Sequence, residues 1–192
     1  MNSAVSNAFI FLIQTSFDLY FIIVLLRLLF QYFRVDFYNP FSQFILKVTN
    51  PILMPLQRII PKSRKIDLST LLLLIAIKAL ELFLISLLSI GTIPSIGGLI
   101  LWPIGEILSQ TINVFCLAIL MTVILSWVAP KNHTPISSLL IQITEPLLSP
   151  ARKLMPATIG IDFSPLLVLI ALKFLDILLI APITQLGKTL AY

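Results

Sequence analysis

Two lysines lie inside strongly apolar stretches, and each has an acid three positions later: Lys78 precedes Glu81, and Lys173 precedes Asp176. Residues three apart share one face of a helix, so each lysine and its acid can form an ion pair. Asp18, in a third apolar stretch, is a further acid that can pair with Lys78. A charge at the middle of a bilayer costs about 2.5–3.5 kcal/mol on insertion scales. These residues therefore indicate either an ion or proton path or neutralised contacts that hold helices together, and the sequence leaves both open.

The sequence contains no catalytic, cofactor-binding or metal-ligating motif. A Ser-His-Asp or HExxH set, a phosphate-binding glycine loop and a carboxylate dyad are all missing. Cys116 is the only cysteine, so it cannot form an intramolecular disulfide and is expected to pack as a small side chain. His133 is the only histidine, so one chain cannot supply two histidine ligands to a haem iron. We therefore expect no enzymatic activity and no cofactor.

The elements that carry these charges are membrane spans. The chain is 58% apolar and 11% charged, with a mean hydropathy of +1.06. Soluble domains have roughly a quarter of their residues charged. Four stretches reach the roughly 20 apolar residues that a span requires: about 8–33, 68–90, 107–128 and 163–183. We expect an all-α membrane protein with four transmembrane helices, the first of them retained because it lacks a basic n-region and a cleavage site.

The chain consists of two copies of one unit. Residues 40–81 align without a gap on residues 135–176, an offset of 95 positions, with 17 of 42 residues identical. We therefore predict two repeats, at residues 1–98 and 99–192, each with two spanning helices and a long loop. Because each repeat crosses the membrane twice, both repeats enter from the same side and are parallel.

Cations are concentrated in the two long loops, residues 34–67 and 129–162. The positive-inside rule places these loops in the cytoplasm and both termini in the periplasm of a bacterial inner-membrane protein. The net charge of +5 fits contact with anionic lipid headgroups. No aromatic residues alternate with the basic ones, so we do not expect binding to nucleic acid.

Each loop begins with a helix-start signal, Asn39-Pro40 or Thr134-Pro135. Apolar residues then recur at helical spacing, which predicts an amphipathic helix lying on the membrane surface. The predicted membrane-facing residues are Phe41, Phe44, Ile45 and Val48 in the first copy and Ile136, Leu139, Leu140 and Ile143 in the second.

A proline-rich motif follows in each copy. Its members are Pro51, Pro55, Arg58 and Pro61 in the first loop, and Glu145, Pro146, Pro150, Arg152, Lys153 and Pro156 in the second. Prolines at this spacing predict a broken segment, either on the membrane surface or in a shallow re-entrant turn. Asp67 and Asp162 directly precede the next spans, where an acid favours the positive end of the helix dipole.

The second loop, Thr144–Pro156 with Gly160–Pro165, resembles the signature of the YggT family of small membrane proteins. The first copy differs from it at Asn50 and at Thr70. The resemblance covers both repeats and implies the two-copy form found in bacterial inner membranes. It also implies a link to osmotic tolerance or cell division, and, by analogy with plastid relatives, to haem attachment or nucleoid distribution. It implies no catalytic residue.

Three functions therefore stay open. A membrane scaffold whose amphipathic loops hold a protein partner is favoured, and it predicts that exchanging Lys78 and Glu81 is tolerated. A small channel or transporter would use the charge pairs, would require an oligomer, and would lose flux in Lys78→Met. A haem-assembly factor depends on family analogy alone. The partner and the existence of a homo-oligomer are not determined by the sequence.

Overall fold

The computed structural model describes residues 3–60, 67–89, 91–128, 134–154 and 162–191, and these residues include no β-strand. The helices are α1 (Ser3–Tyr32), α2 (Pro40–Ile59), α3 (Leu68–Ser89), α4 (Ile96–Val128), α5 (Pro135–Leu154), α6 (Ser164–Leu175) and α7 (Ala181–Ala191), with a π turn at Asp176–Ile180 between α6 and α7. The all-helical prediction is confirmed.

Four helical stretches are long and apolar enough to cross a membrane: Val5–Tyr32, Leu68–Ser89, Ile96–Val128 and Ser164–Ala191. The chain is a multi-pass membrane protein with the number of spans that its hydropathy predicts. Their mean hydropathy of 2.2 to 2.6 explains this agreement, because apolar helices of that length match the thickness of a bilayer.

The connection before α4 is shorter than predicted. The predicted spans end at residue 90 and resume at residue 107, but α4 already begins at Ile96, although residues 91–106 contain four glycines and two prolines. α4 has 33 residues and continues through Pro103. Because it begins at Ile96, the predicted boundary between repeats, at residues 98 and 99, falls inside its first turn. Glycine disfavours helix in isolation by only about 1 kcal/mol, which packing against a neighbouring helix can offset.

The last span also extends beyond its predicted end at residue 183. After α6, the amide of Ala181 donates to the carbonyl of Asp176, which is the wide spacing of a π turn. Pro182 follows immediately, and its ring would otherwise press on the carbonyl of the preceding turn. The wide turn relieves that conflict, so the helix continues as α7 to Ala191.

The predicted break at the proline-rich motifs is wrong. α2 continues through Pro51 and Pro55, and α5 continues through Pro146 and Pro150. Each proline removes one donor from the helical ladder at a cost of about 3 kcal/mol. Both helices compensate through burial, because one stripe of each packs against the spanning helices. The helix-start signal is confirmed for α2, where Asn39 Oδ1 accepts a hydrogen bond from the amide of Phe41 at 2.9 Å.

The spans pack as two pairs. α1 packs against α3, α4 packs against α6 and α7, and α3 joins the pairs by packing against α4. α2 lies against α1 and α3, while α5 lies against α4 and α6. Two hydrogen bonds link the repeats where the start of α2 meets α5. Asn39 Nδ2 donates to the carbonyl of Pro135 at 2.7 Å, and the amide of Asp36 donates to Gln142 Oε1 at 3.0 Å.

Candidate functional site

The three charged residues of the first repeat meet halfway along the spans. Lys78 Nζ donates to Asp18 Oδ1 at 2.5 Å and to Glu81 Oε2 at 2.8 Å. Its ammonium also lies 4.9 Å from the centre of the Phe21 ring, within the range of a cation–π contact. The side chains of Lys78 and Glu81 are 3% and 5% exposed, so this cluster is enclosed except at Asp18. The contact between Asp18 and Lys78 that the sequence allowed is present.

The second repeat contains the same constellation with a different environment. Lys173 Nζ donates to Asn113 Oδ1 at 2.8 Å and to Asp176 Oδ2 at 3.3 Å. Asn113 stands 95 positions after Asp18, and Cys116 stands 95 positions after Phe21. The second cluster therefore lacks one carboxylate and the covering aromatic ring. The Lys173 side chain is 49% exposed, whereas its counterpart Lys78 is buried.

These contacts limit what each cluster can do. The buried Lys78 is held by hydrogen bonds to two carboxylates, and its bond to Asp18 stabilises the contact between α1 and α3. The half-exposed Lys173 can instead meet a group outside the chain. With all groups ionised, the first cluster has a net charge of −1 because it contains one lysine and two acids, and the second is neutral.

The aspartates that precede α3 and α6 both close their loops. Asp67 is buried and accepts from the amide of Ser69 at 3.1 Å, from Thr70 Oγ1 at 2.9 Å and from Gln57 Nε2 at 2.5 Å. Asp162 accepts in the same way from the amide of Ser164 at 2.9 Å. A carboxylate bonded to the first free amides of a helix is a stabilising arrangement, and both aspartates have it.

Arg27 occupies a site that the sequence did not predict. A long arginine side chain near the end of a span can reach the membrane surface, but Arg27 is buried and donates to Thr49 Oγ1 at 2.5 Å and to Asn50 Oδ1 at 2.6 Å. It thereby fastens α1 to the middle of α2, just before Pro51. Arg58 and the neighbouring Met54 and Ile59 of α2 face outward.

The second repeat takes its arginine from α5 instead of from α4. Arg152 Nη1 lies 2.8 Å from Glu145 Oε1, and its Nε lies 2.9 Å from Asp162 Oδ2. Burial acts against ionisation of Asp162, but hydrogen bonds from Ser164 and Arg152 outweigh it and lower the pKa of this carboxyl. The same network raises the pKa of Arg152, chiefly through its bond to Asp162. Lys153 lies exposed beside it.

The predicted membrane-facing stripe is divided between two environments. Ile45, Leu139 and Ile143 are buried against the spans, so placing them on the membrane was wrong. Val48 and Leu140 are partly buried, and only Phe41, Phe44 and Ile136 are exposed. The reason is that each helix has two apolar faces: one packs on protein, and the other is free to contact lipid or a partner. The buried stripes also include Ser42, Thr49 and Leu53 in α2 and Thr144, Leu148 and Ala151 in α5.

Sequence reasoning missed a close contact between α4 and α7. A Cβ added at Gly98 would collide with the backbone of Ala191, one at Gly105 would collide with Thr184, and one at Gly187 would lie 2.5 Å from the amide nitrogen of Trp102. Small residues on both helices let the backbones approach, as in other membrane helix pairs. The spacing of Gly98 and Gly105, seven apart on one helical face, was the available signal.

Three of the residues singled out from the sequence, Pro61, Pro156 and His133, lie outside the described residues. Among the residues that the structure covers, no three His, Cys, Asp or Glu side chains lie close enough to hold a metal ion. Cys116 is buried and unpaired with another cysteine, in keeping with a packing role.

The chain is similar to several bacterial proteins along most of its length. It is 45% identical over 176 residues to the uncharacterized protein PA0392 of Pseudomonas aeruginosa, covering 91% of this chain and 89% of that one. It is 41% identical over 175 residues to the uncharacterized protein YggT of Escherichia coli K12, covering 88% of each chain. No solved structure matches it.

The family model described as CCB3/YggT matches the chain twice, at residues 6–88 and 101–183. Both matches have the same length and are separated by the 95-residue offset of the internal repeat, so the two-repeat organisation is confirmed. The four spans, the duplicated loop motif and these matches together show that the chain belongs to the CCB3/YggT family.

Proposed function

We propose that this protein is a non-enzymatic membrane scaffold that holds a partner protein against the membrane through α2 and α5. The observation that carries the proposal is an aromatic patch, formed by Phe37, Tyr38, Phe41 and Phe44, that remains exposed beside a helix fixed to the membrane core. Aromatic residues are enriched where protein interfaces are most buried. Osmotic tolerance and cell division, which the family resemblance implies, are the processes in which we would look for the partner.

The support beneath this patch is rigid. Arg27 fastens α2 to α1, Gln57 connects it to Asp67, and Asn39 connects its first turn to Pro135 at the start of α5. A surface held at several points loses little conformational freedom on binding, which favours affinity. Exposed cations of the same helices, Lys47, Arg58 and Lys153, would meet anionic headgroups or acidic groups of the partner.

The side of the membrane is part of the proposal. The described cations of α2 and α5 lie at one end of the spans, so the positive-inside rule assigns this end to the cytoplasm and the termini to the periplasm. Cysteine-accessibility labelling in intact bacteria tests it. A cysteine that replaces the exposed Phe44 should be protected from an impermeant thiol reagent until the cells are opened, and labelling in intact cells would reverse the assignment.

Site-specific photo-cross-linking in native membranes tests the scaffold. A photoreactive phenylalanine at Tyr38 or Phe44 should form a discrete protein adduct, whereas the same group at buried Ile45 serves as the matched control. The double variant Phe41→Ser with Phe44→Ser should reproduce any phenotype of the deletion strain while still inserting into the membrane. Adducts with lipid alone at both outward positions would contradict a protein partner.

Exchanging the two charges of an ion pair tests the scaffold in the second repeat and not in the first. In the first repeat, exchanging Lys78 and Glu81 would place a glutamate against Asp18, where the lysine now lies 2.5 Å from it. That exchange is expected to destabilise the fold whether the protein is a scaffold or a channel. Lys173 and Asp176 have the neutral Asn113 as their third member. A scaffold should therefore tolerate Lys173→Asp combined with Asp176→Lys.

A second candidate, a small ion channel or transporter, is favoured by one observation. Lys173 is half-exposed in the middle of a span, and the π turn begins three residues later, at Asp176. Turns of this kind occur frequently at functional sites. Ion flux into proteoliposomes after an osmotic step should then fall in Lys173→Met and not in the control Lys188→Met. Absence of flux in the folded wild-type protein would remove this candidate.

A further inference from the structure

Two ionisable side chains of opposite charge are half-exposed within the spans. Asp18 in α1 and Lys173 in α6 are each 49% exposed, although each contacts a residue of its own repeat. Their counterparts differ: Lys78, which corresponds to Lys173, is buried, and Asn113, which corresponds to Asp18, is neutral. The first repeat thus exposes an acid and the second exposes a base.

Both groups lie at the same depth. α1 and α4 are parallel and each is followed by an amphipathic helix at the same end, so Asp18 and Asn113 occupy equivalent levels. Lys173 is hydrogen-bonded to Asn113 just as Lys78 is bonded to Asp18. A second chain in the same membrane, inserted in the same orientation, therefore presents its own Lys173 at the level of Asp18.

We propose that a second copy of this chain covers these groups, with Asp18 of one chain against Lys173 of the next. Asp18 shares its lysine with Glu81, so the ammonium of the neighbour gives Asp18 a second cation, although the two joined clusters keep a net charge of −1 with all groups ionised. The two contact surfaces are different parts of the molecule, which makes the interface heterologous. Such an interface leads to a closed ring or to an open chain of copies.

Mixed variants test the head-to-tail geometry. Asp18→Asn removes one surface and should preserve the fold, because the second repeat already bonds its lysine to an asparagine at this place. Lys173→Met removes the other surface. Each variant alone should be monomeric in lipid nanodiscs, whereas a mixture of both should form dimers, because one intact acid and one intact base remain. Lys188→Met, which removes an exposed lysine from α7, is the control and should assemble as the wild type does.

Cysteine cross-linking gives an independent measurement. In a Cys116→Ala background, Ile22→Cys and Ile170→Cys place thiols one turn from Asp18 and Lys173, both toward the α2 and α5 end, at residues that are 39% and 63% exposed. Differently tagged chains that carry one cysteine each should form the mixed disulfide in membranes, in at least tenfold excess over either homodimer. Dominant homodimers would show a two-fold interface instead, and monomers in every sample would show that no second copy binds; either result overturns the proposal.

Discussion

The two repeats make the same polar contacts but bury them differently. In the first repeat, Lys78 and Glu81 are enclosed by protein; in the second, Lys173 remains half-exposed with the same spacing to its acid. Two features accompany the difference: Asn113 and Cys116 stand in place of Asp18 and Phe21, and α3 packs against both α1 and α4, whereas α6 packs against α4 and α5. Sequence identity at equivalent positions therefore identifies equivalent contacts, but the function of a charge depends on the neighbours that cover it.

The loops differ in a similar way. The first repeat uses a buried arginine from a spanning helix, Arg27, while the second uses an exposed arginine from the amphipathic helix, Arg152. Both fix the amphipathic helix to the rest of its repeat. The lysine and the arginine are thus buried in the first repeat and partly exposed in the second. We expect stability to depend more on these charged groups in the first repeat than on their counterparts in the second.

The sharpest way to test this comparison is to remove the two lysines. Lys78→Met should lower the free energy of unfolding by about 3–5 kcal/mol, because Glu81 would remain buried without a cation. Lys173→Met should cost less than this, because Asp176, at 17% exposed, is less enclosed than Glu81 at 5%. Unfolding in mixed micelles with increasing dodecyl sulfate, followed by tryptophan fluorescence, measures both. Equal losses would show that burial does not distinguish the clusters.

The arginines extend the comparison to the loops. Arg27→Met should cost about 2 kcal/mol, because Thr49 and Asn50 lose hydrogen bonds from a charged donor. Arg152→Met should cost less than about 1 kcal/mol, because its ion pairs are exposed. Hydrogen exchange should show faster exchange across α2 in the first variant and only local change in α5 in the second. A larger effect of Arg152→Met would reverse the assignment of the two loops.

Gly187 tests the close contact between α4 and α7. Gly187→Ala places a methyl group within 2.9 Å of three Trp102 atoms, so α4 and α7 must separate, at about 1–2 kcal/mol. Gly97→Ala is the matched control, since its nearest neighbour, Ser95 Oγ, would be 3.7 Å away. Thermal unfolding in detergent measures both. Equal behaviour of the two variants would show that α7 does not depend on close packing.

The smallest expected effect is that of pH on Asp162. Its pKa is lowered in the folded protein, so its ionised form contributes stability above the unfolded value of about 4, and that contribution is lost as pH falls through the lower folded value. The protection of the Ser164 amide, which donates to Asp162, should therefore fall relative to its intrinsic exchange rate as the pH drops below about 4. Arg152→Met should shift this loss of protection to higher pH. An unchanged profile in that variant would exclude the arginine as the cause.

Much of the fold could be predicted because its signals are local. Spans follow from runs of apolar residues, the repeat follows from prolines and charges at a fixed offset, and the contact of Asp18 with Lys78 follows from opposite charges within apolar stretches. Helix ends were less predictable where glycine or proline occurs. The start of α4 and the course of α2 depend on neighbouring helices that offset poor intrinsic propensity, and no local pattern contains that information.

The sequence predicted which residues form the candidate site, but not how deeply each of them is buried. Lys78 and Lys173 each have an acid three positions later, so only the packing of α1 and α4 shows that one is buried. Arg27 is a related case. Its ability to reach the membrane surface is a property of the side chain, but Thr49 and Asn50 are brought beneath it by the fold.

The different origins of the two arginines have an evolutionary consequence. Arg27 corresponds to Thr122, Gln57 to Arg152, and Asn50 to Glu145, so the repeats differ at three positions that belong to one network. If one arrangement arose from the other by single substitutions, the order of these substitutions decides whether an arginine is present at every step. A lineage that gains the loop arginine before it loses the helix arginine always retains an arginine that fixes the amphipathic helix to its repeat. The reverse order passes through an ancestor without one, and selection against that ancestor would make the path one-directional.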